Sequence, residues 1–310
     1  MSLGGSQLGL TELWSHITLS ENTTWGYIFF HLRLPRSLTC VLVGASLGLS
    51  GCLLQTLLQN PLAEPYTLGL SGGATLGAVL SIGLNLSPSW LSVPAGALIG
   101  CTCVTLTIVM LGLHRNLWSQ KTLALIGVMI SLFCSSIVIV FFSFFEPQKL
   151  QTAINFLIGQ VGTERDQWWP ALAAAFSTAT IWAHINHLKL DRLLLGEDLA
   201  ASLGVSLRGL RLCLIGFVAL CTSLCVAIAG IVGFIGLLAP HLAFLLLGSG
   251  RHKHLLPLSC LLGACFFLAA DCLGRWLGGV RELPAGSIVA LIGAPIFVLL
   301  VIRNRHVAIQ

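Results

Sequence analysis

The charged and polar residues that could do chemistry are few, and they come in short groups. Asp271 and Arg275 stand four apart, the spacing of an intrahelical ion pair. Arg33-Leu-Pro-Arg36 offers two guanidiniums, which stay charged and can hold a carboxylate bidentately. Gly196-Glu-Asp-Leu-Ala-Ala-Ser-Leu-Gly204 carries two acids in a small, apolar frame. Gln55, Gln59 and Asn60 supply amides suited to interhelical hydrogen bonds, and His241 follows Pro240, where it reads as structural or as a haem ligand. None of this makes a catalytic set. There is no G-x-x-x-x-G-K-[ST] string for ATP, no H-E-x-x-H and no G-x-S-x-G. The chain is therefore expected not to be an enzyme. Metal ligation would need clustered Cys and His. Cys101 and Cys103 have no matching pair, and the 11 cysteines sit mostly in apolar runs, so no metal or cofactor is expected.

The elements that must carry these groups are membrane spans. No Asp, Glu, Lys or Arg occurs in residues 66–113, 122–145, 212–250 or 283–302. A spanning helix needs roughly 20 mainly apolar residues, and a charge at the bilayer centre costs several kcal/mol. Hydrophobic residues make up 56% of the 310 and charged residues 9%, which excludes an ordinary soluble domain. The net charge of +5 is modest, and no nucleic-acid partner is expected. The fold class is an all-α integral membrane bundle, one domain over 1–310, surrounded by lipid.

Breaks at Pro, Gly and charge give about nine segments, at 37–58, 66–86, 91–113, 122–145, 168–184, 212–230, 234–247, 255–277 and 284–302. The segment after Phe234 is short and is expected to be a partial span. Counting basic residues near segment ends puts Arg115, Lys121, Lys189, Arg192, Arg208, Arg211, Arg251, Lys253, Arg303 and Arg305 inside, against Arg33, Arg36, Lys149, Arg165, Arg275 and Arg281 outside. Residues 186–211 then form a long inner loop. The run from Leu49-Ser-Gly51 to Pro61-Leu-Ala63 resembles the run from Ile228-Ala-Gly230 to Leu238-Ala-Pro240, with opposite crossing direction, a hint of inverted repeats. Gly44/Gly48, Gly73/Gly77 and Gly96/Gly100 are small-xxx-small pairs, fit for packing within the bundle or for a dimer seam.

Arg-Leu-Pro-Arg36, Gln59-Asn-Pro-Leu-Ala-Glu-Pro65, the Gly196–Gly204 string and Gly233-Phe-Ile-Gly-Leu-Leu-Ala-Pro-His241 occur in the order found in FecCD-type permeases of ABC importers. The resemblance covers nearly the whole chain and is nearest to the cobalamin and haem branches. It implies a homodimer of about ten-helix subunits in a bacterial inner membrane, two ATPase subunits below and a solute-binding protein outside. The chain resembles the family from just after its first helix, at Ser2-Leu-Gly-Gly. Either the native start lies upstream, which the odd span count supports, or this variant lacks that helix.

The resemblance also implies roles. Arg33, Arg36 and Arg275 dock the binding protein; interfacial snorkelling and a pair with Asp271 compete. Gly196, Glu197, Ala200, Leu203 and Gly204 seat in the ATPase as a short helix pair, with Leu193-Leu-Leu195 suggesting a buried contact. The helices at 122–145 and 284–302 line a passage at the dimer axis, with Ser131, Ser135 and Ser287 on it. Gln120 and Lys121 stand at the inner gate, where relatives often place small hydroxyl residues. Substrate passes by ATP-driven alternating access; which siderophore, haem or cobalamin it is, and the Gram type of the host, are not legible. An ion-coupled secondary transporter and an intramembrane lipid or isoprenoid enzyme are the alternatives.

Overall fold

The structure is a computed structural model describing residues 24–86, 89–115, 120–159, 168–278 and 283–303. Among these residues it is helical with no strand. The helices are α1 (Thr24–Tyr27), α2 (Leu34–Leu58), α3 (Leu70–Gly83), α4 (Ser89–Arg115), α5 (Gln120–Phe142), α6 (Pro147–Leu157), α7 (Trp169–Ile185), α8 (His187–Leu193), α9 (Glu197–Ser202), α10 (Leu207–Ala229), α11 (Ile235–Leu247), α12 (His252–Gly278) and α13 (Ala285–Arg303). A π-helical turn, Ile28–Arg33, joins α1 to α2. Among the described residues, five segments are long and apolar enough to cross a membrane: Ile28–Leu58, Leu91–Leu111, Thr122–Phe142, Leu207–Ala229 and His252–Gly278.

The core lies around α2. This helix begins directly after the π-helical turn, with Pro35 as its second residue. It ends in a Schellman motif: the Asn60 N–H donates to the Gln55 carbonyl at 3.1 Å, and Gln59 turns left-handed at φ 44°. α2 packs on α12, α10 and α11, while α3 packs on α4.

Two expected spans are broken. The uncharged run from Tyr66 folds as a 3₁₀ turn, Pro65–Leu68, and then a short α3 of 14 residues. α10 ends at Gly230, and α11 begins only after Phe234 and runs 13 residues. At about 1.5 Å per residue each short helix reaches about 20 Å, less than the roughly 30 Å apolar layer. Gly230 is required at its break. Its φ of 71° and ψ of −158° suit only glycine, and a Cβ there would lie 2.2 Å from the Phe156 carbonyl oxygen. The partial span expected after Phe234 is thus present, and residues 66–86 contain a second one. The pairings α2 with α12 and α3 with α4 have counterparts in α10 with α4 and α11 with α12.

The glycine pairs pack within the chain. A Cβ on Gly44 would meet the Gly263 oxygen at 2.3 Å, and one on Gly77 the Gly96 oxygen at 1.9 Å. These pairs are spent on α2 against α12 and α3 against α4, so the dimer-seam reading does not hold for them.

Candidate functional site

α2 connects two polar assemblies. Its 25 residues span roughly 37 Å. At its start, Arg36 donates from Nε (3.1 Å) and Nη2 (2.8 Å) to Oδ1 of Asp271 on α12. Arg275 reaches Oδ2 of the same carboxylate at 3.1 Å. Asp271 is 1% exposed, and both guanidinium side chains are largely buried. Arg33 closes the π-helical turn that leads into α2, three residues before Arg36. The three arginines singled out in the sequence are therefore together, and the intramolecular pair at Asp271 is made. It recruits Arg36 as well as its i,i+4 neighbour.

At the far end of α2, Gln59 donates from Nε2 to the Leu193 carbonyl, which fixes the 186–211 segment there. The short helix pair expected in that segment is α8 and α9. Gly196 (φ 104°) starts α9 and Gly204 (φ 81°) ends it; a Cβ at either would meet nothing, so backbone angle is what demands glycine. Glu197 pairs with the mostly buried Arg211 of α10. Arg192 donates from Nη1 to the Leu203 carbonyl at 3.2 Å. Ala200 is buried in the chain, as is Leu193. Leu194, Leu195, Leu199 and Leu203 are exposed. The leucine run thus supplies one residue to the chain's own core and leaves the others uncovered.

The presumed passage residues are dispersed. Ser131 sits against Gly72 of α3, where a Cβ would come 2.9 Å from the Ser131 Cα. Ser135 and Ser287 are exposed on α5 and α13. These two helices have different neighbours, α5 packing on α3 and α13 on α12. Gln120 and Lys121 open α5, and their side chains fall outside the described residues.

The contacts of Glu64 and Tyr66 had not been singled out. Glu64 accepts the N–H of Phe234, the left-handed residue that caps α11. A carboxylate favours a helix N-terminus by charge and by satisfying an orphan donor. Tyr66 accepts the Val232 N–H at 3.1 Å, and Gln55 donates at 3.4 Å toward the Gly236 and Leu237 carbonyls. The first break thus clasps the second. Gln55 and Gln59 make the expected interhelical bonds. Asn60 does not: its side chain accepts the Leu62 N–H at 2.9 Å, a local turn. The His241 ring packs edge-on against Phe297, 5.9 Å away.

The model of the FecCD transport family matches residues 1–303. The chain belongs to the FecCD transport family. It is 35% identical over 303 residues to the vitamin B12 import system permease protein BtuC of Vibrio cholerae, covering 95% of this chain and 88% of that protein. It is 35% identical to the hemin transport system permease protein HmuU of Yersinia pestis, with 98% and 91% covered. It is 38% identical to the Fe(3+) dicitrate transport system permease protein FecC of Escherichia coli, with 88% and 82% covered. Among solved structures, it matches an inward-facing ABC transporter assigned to the metal-chelate type, with a TM-score of 0.84, 30% identity, and 92% and 91% of the two chains covered. The FecCD motifs found in the sequence map onto the assemblies just described. The Gln59–Pro65 string and the Gly233–His241 string are the two sides of the clasp, and the Gly196–Gly204 string is α9 with its two glycine ends.

Proposed function

We propose that this FecCD protein is the permease subunit of a binding-protein-dependent ABC importer in a bacterial inner membrane. One observation carries the reading: the arginine cluster and the α8–α9 element occupy opposite ends of α2, so separate soluble partners can engage the two faces of the membrane at once. The 186–211 segment is the coupling element. Leu194, Leu195, Leu199 and Leu203 form its apolar contact for a cytoplasmic ATPase subunit, while Glu197 and Ala200 hold it on the permease. Arg33, backed by the net positive charge of the buried Arg36–Asp271–Arg275 cluster, faces acidic residues of a solute-binding protein on the other side. Two copies assemble with α5 and α13 facing the shared axis. In a single chain α5 leaves Leu125, Met129, Phe133 and Ile139 uncovered. Ser135 and Ser287 fall on that passage, and Gln120 and Lys121 lie at its inner mouth.

The cargo class is a cobalamin, haem or iron chelate, the chemistries carried by the names of its relatives. A passage lined mainly by apolar side chains suits a bulky ligand handed through whole. ATP binding by the partner subunits favours one of two bundle arrangements through their differential affinity, and the permease itself makes and breaks no bonds. An ion-coupled transporter is less well supported, because Asp271 is held between two guanidiniums and Glu64 caps a helix.

Isolation in mild detergent, with an ABC ATPase subunit from the same organism coexpressed, tests the reading. Wild type should bring down the ATPase, and Leu195→Asp with Leu199→Asp should lose it while the permease stays monodisperse. An ATPase that never copurifies with wild type would sink the proposal. On the opposite face, Arg33→Glu should weaken binding-protein docking about tenfold by surface plasmon resonance while leaving ATPase recruitment unchanged. An unchanged affinity would return Arg33 to an interfacial anchor.

A further inference from the structure

Asp191, His252 and Thr56 form a polar chain, half-buried at Asp191 and buried at the other two, that neither the sequence motifs nor the family resemblance singles out. Asp191 lies on α8, inside the proposed coupling element. His252 opens α12, and Thr56 lies in the last turn of α2. His252 is 0% exposed and Thr56 3%. Oδ1 of Asp191 accepts both the backbone N–H of His252, at 2.8 Å, and its Nδ1–H, at 2.6 Å. An ionised carboxylate can only accept, which places the ring proton on Nδ1. The Thr56 hydroxyl lies 2.7 Å from Nε2 and completes the chain. The same hydroxyl donates to the Cys52 carbonyl at 2.8 Å, which ties the imidazole to the α2 backbone.

Three features separate this chain from ordinary packing. It joins the short helix α8 to α2 and α12, which pack closely against each other in the core. It has no slack: each link is a direct hydrogen bond of 2.8 Å or less, and His252 is enclosed. It also ends where Gln59 of α2 bonds to Leu193 of α8, so α2 grips α8 at two points. A hydrogen-bonded group buried in a low-dielectric interior is costly to leave unpaired. Displacing α8 therefore either drags the ends of α2 and α12 with it or breaks that chain.

We infer that Asp191–His252–Thr56 is the positioning linkage through which movement of the coupling element is delivered to α2 and α12. The inference rests on the importer reading and adds the transmitting residues to it. His252 touches neither ATP nor cargo and acts through its two neighbours.

The test is the reconstituted assembly of permease, ATPase and binding protein in liposomes, supplied with whichever of cobalamin, haem or ferric dicitrate the wild type imports. ATP hydrolysis and uptake are read in the same vesicles. Asp191→Asn, Thr56→Val and His252→Ala should each recruit the ATPase and hydrolyse ATP at near wild-type rates. Molecules imported per ATP should fall about tenfold for His252→Ala and severalfold for the other two. Because all three lie on one linkage, Asp191→Asn combined with His252→Ala should be no worse than His252→Ala alone. Thr56→Val, nearly isosteric, keeps the test decisive if the His252 variant is unstable. If uptake per ATP stays at the wild-type value in Thr56→Val and Asp191→Asn, the linkage is overturned. A wild-type assembly that recruits no ATPase overturns the importer reading and the linkage with it.

Discussion

Asp271→Leu is expected to destabilise the protein by about 3–5 kcal/mol, the cost of breaking a buried ion pair by removing one partner. The carboxylate is 1% exposed and receives Arg36 from α2 and Arg275 from its own helix. Without it, two largely buried guanidiniums face each other with no counter-charge. Thermal unfolding in detergent should show a large drop in midpoint. Arg36→Leu, Asp271→Leu and Arg275→Leu combined should recover much of the loss, because an apolar cluster of similar volume has no charge to strand. If the single substitution leaves the midpoint where it was, the α2–α12 bridge contributes nothing to stability. The prediction also bears on docking. Arg36→Glu would place a second carboxylate against Asp271, so its effect on binding-protein affinity mixes folding with recognition. Arg33→Glu separates the two.

Gly51→Ala should be nearly as damaging. Its added Cβ would lie 1.8 Å from the Gly236 carbonyl oxygen and 2.6 Å from the Gly236 Cα. Both are backbone atoms, so no rotamer change relieves the clash and α2 must part from α11. The contact lies beside the clasp, where Gln55 reaches the Gly236 carbonyl and Glu64 caps Phe234. Overpacking costs about 1–3 kcal/mol where side chains can yield; with backbone on both sides the loss should exceed about 3 kcal/mol. Size-exclusion profiles and unfolding midpoints would read it. Gly216→Ala on α10 is the control, since a Cβ there meets nothing and Ala gains about 1 kcal/mol of helix propensity. Equal behaviour of the two variants would mean that α2 and α11 do not touch as described.

The bundle was legible because charge is absent over long runs, and that absence has one cheap physical cause. The helix break after Gly230 was legible from the same string that marks the family. The break at Pro65–Gly69 was not. Its residues are as apolar as a span, and composition cannot distinguish a straight crossing from one that turns back at half depth. The Asp271–Arg275 pair followed from four-residue spacing, whereas Arg36 joins it across 235 residues, a register no local pattern encodes. Asp191 and His252, 61 residues apart, were missed for the same reason. The available signal was scarcity: with 11 acidic residues in 310, each one near a span calls for a partner. The leucines of 193–195 were read as one buried contact, but helical geometry turns successive residues about 100° apart, so one faces inward and the others do not.

The distance along the chain between Arg36 and Asp271 also sets an order of events during biosynthesis. A ribosome adding about 5–20 residues per second needs roughly 10–50 s to make the 235 residues that separate them. Through that interval the guanidinium of Arg36 has no Asp271 to pair with. Only when α12 emerges can the carboxylate arrive and draw the arginine in. α2 is therefore made long before its ion pair can close, and a ribosome stalled before residue 271 leaves a nascent chain whose Arg36 has no counter-charge.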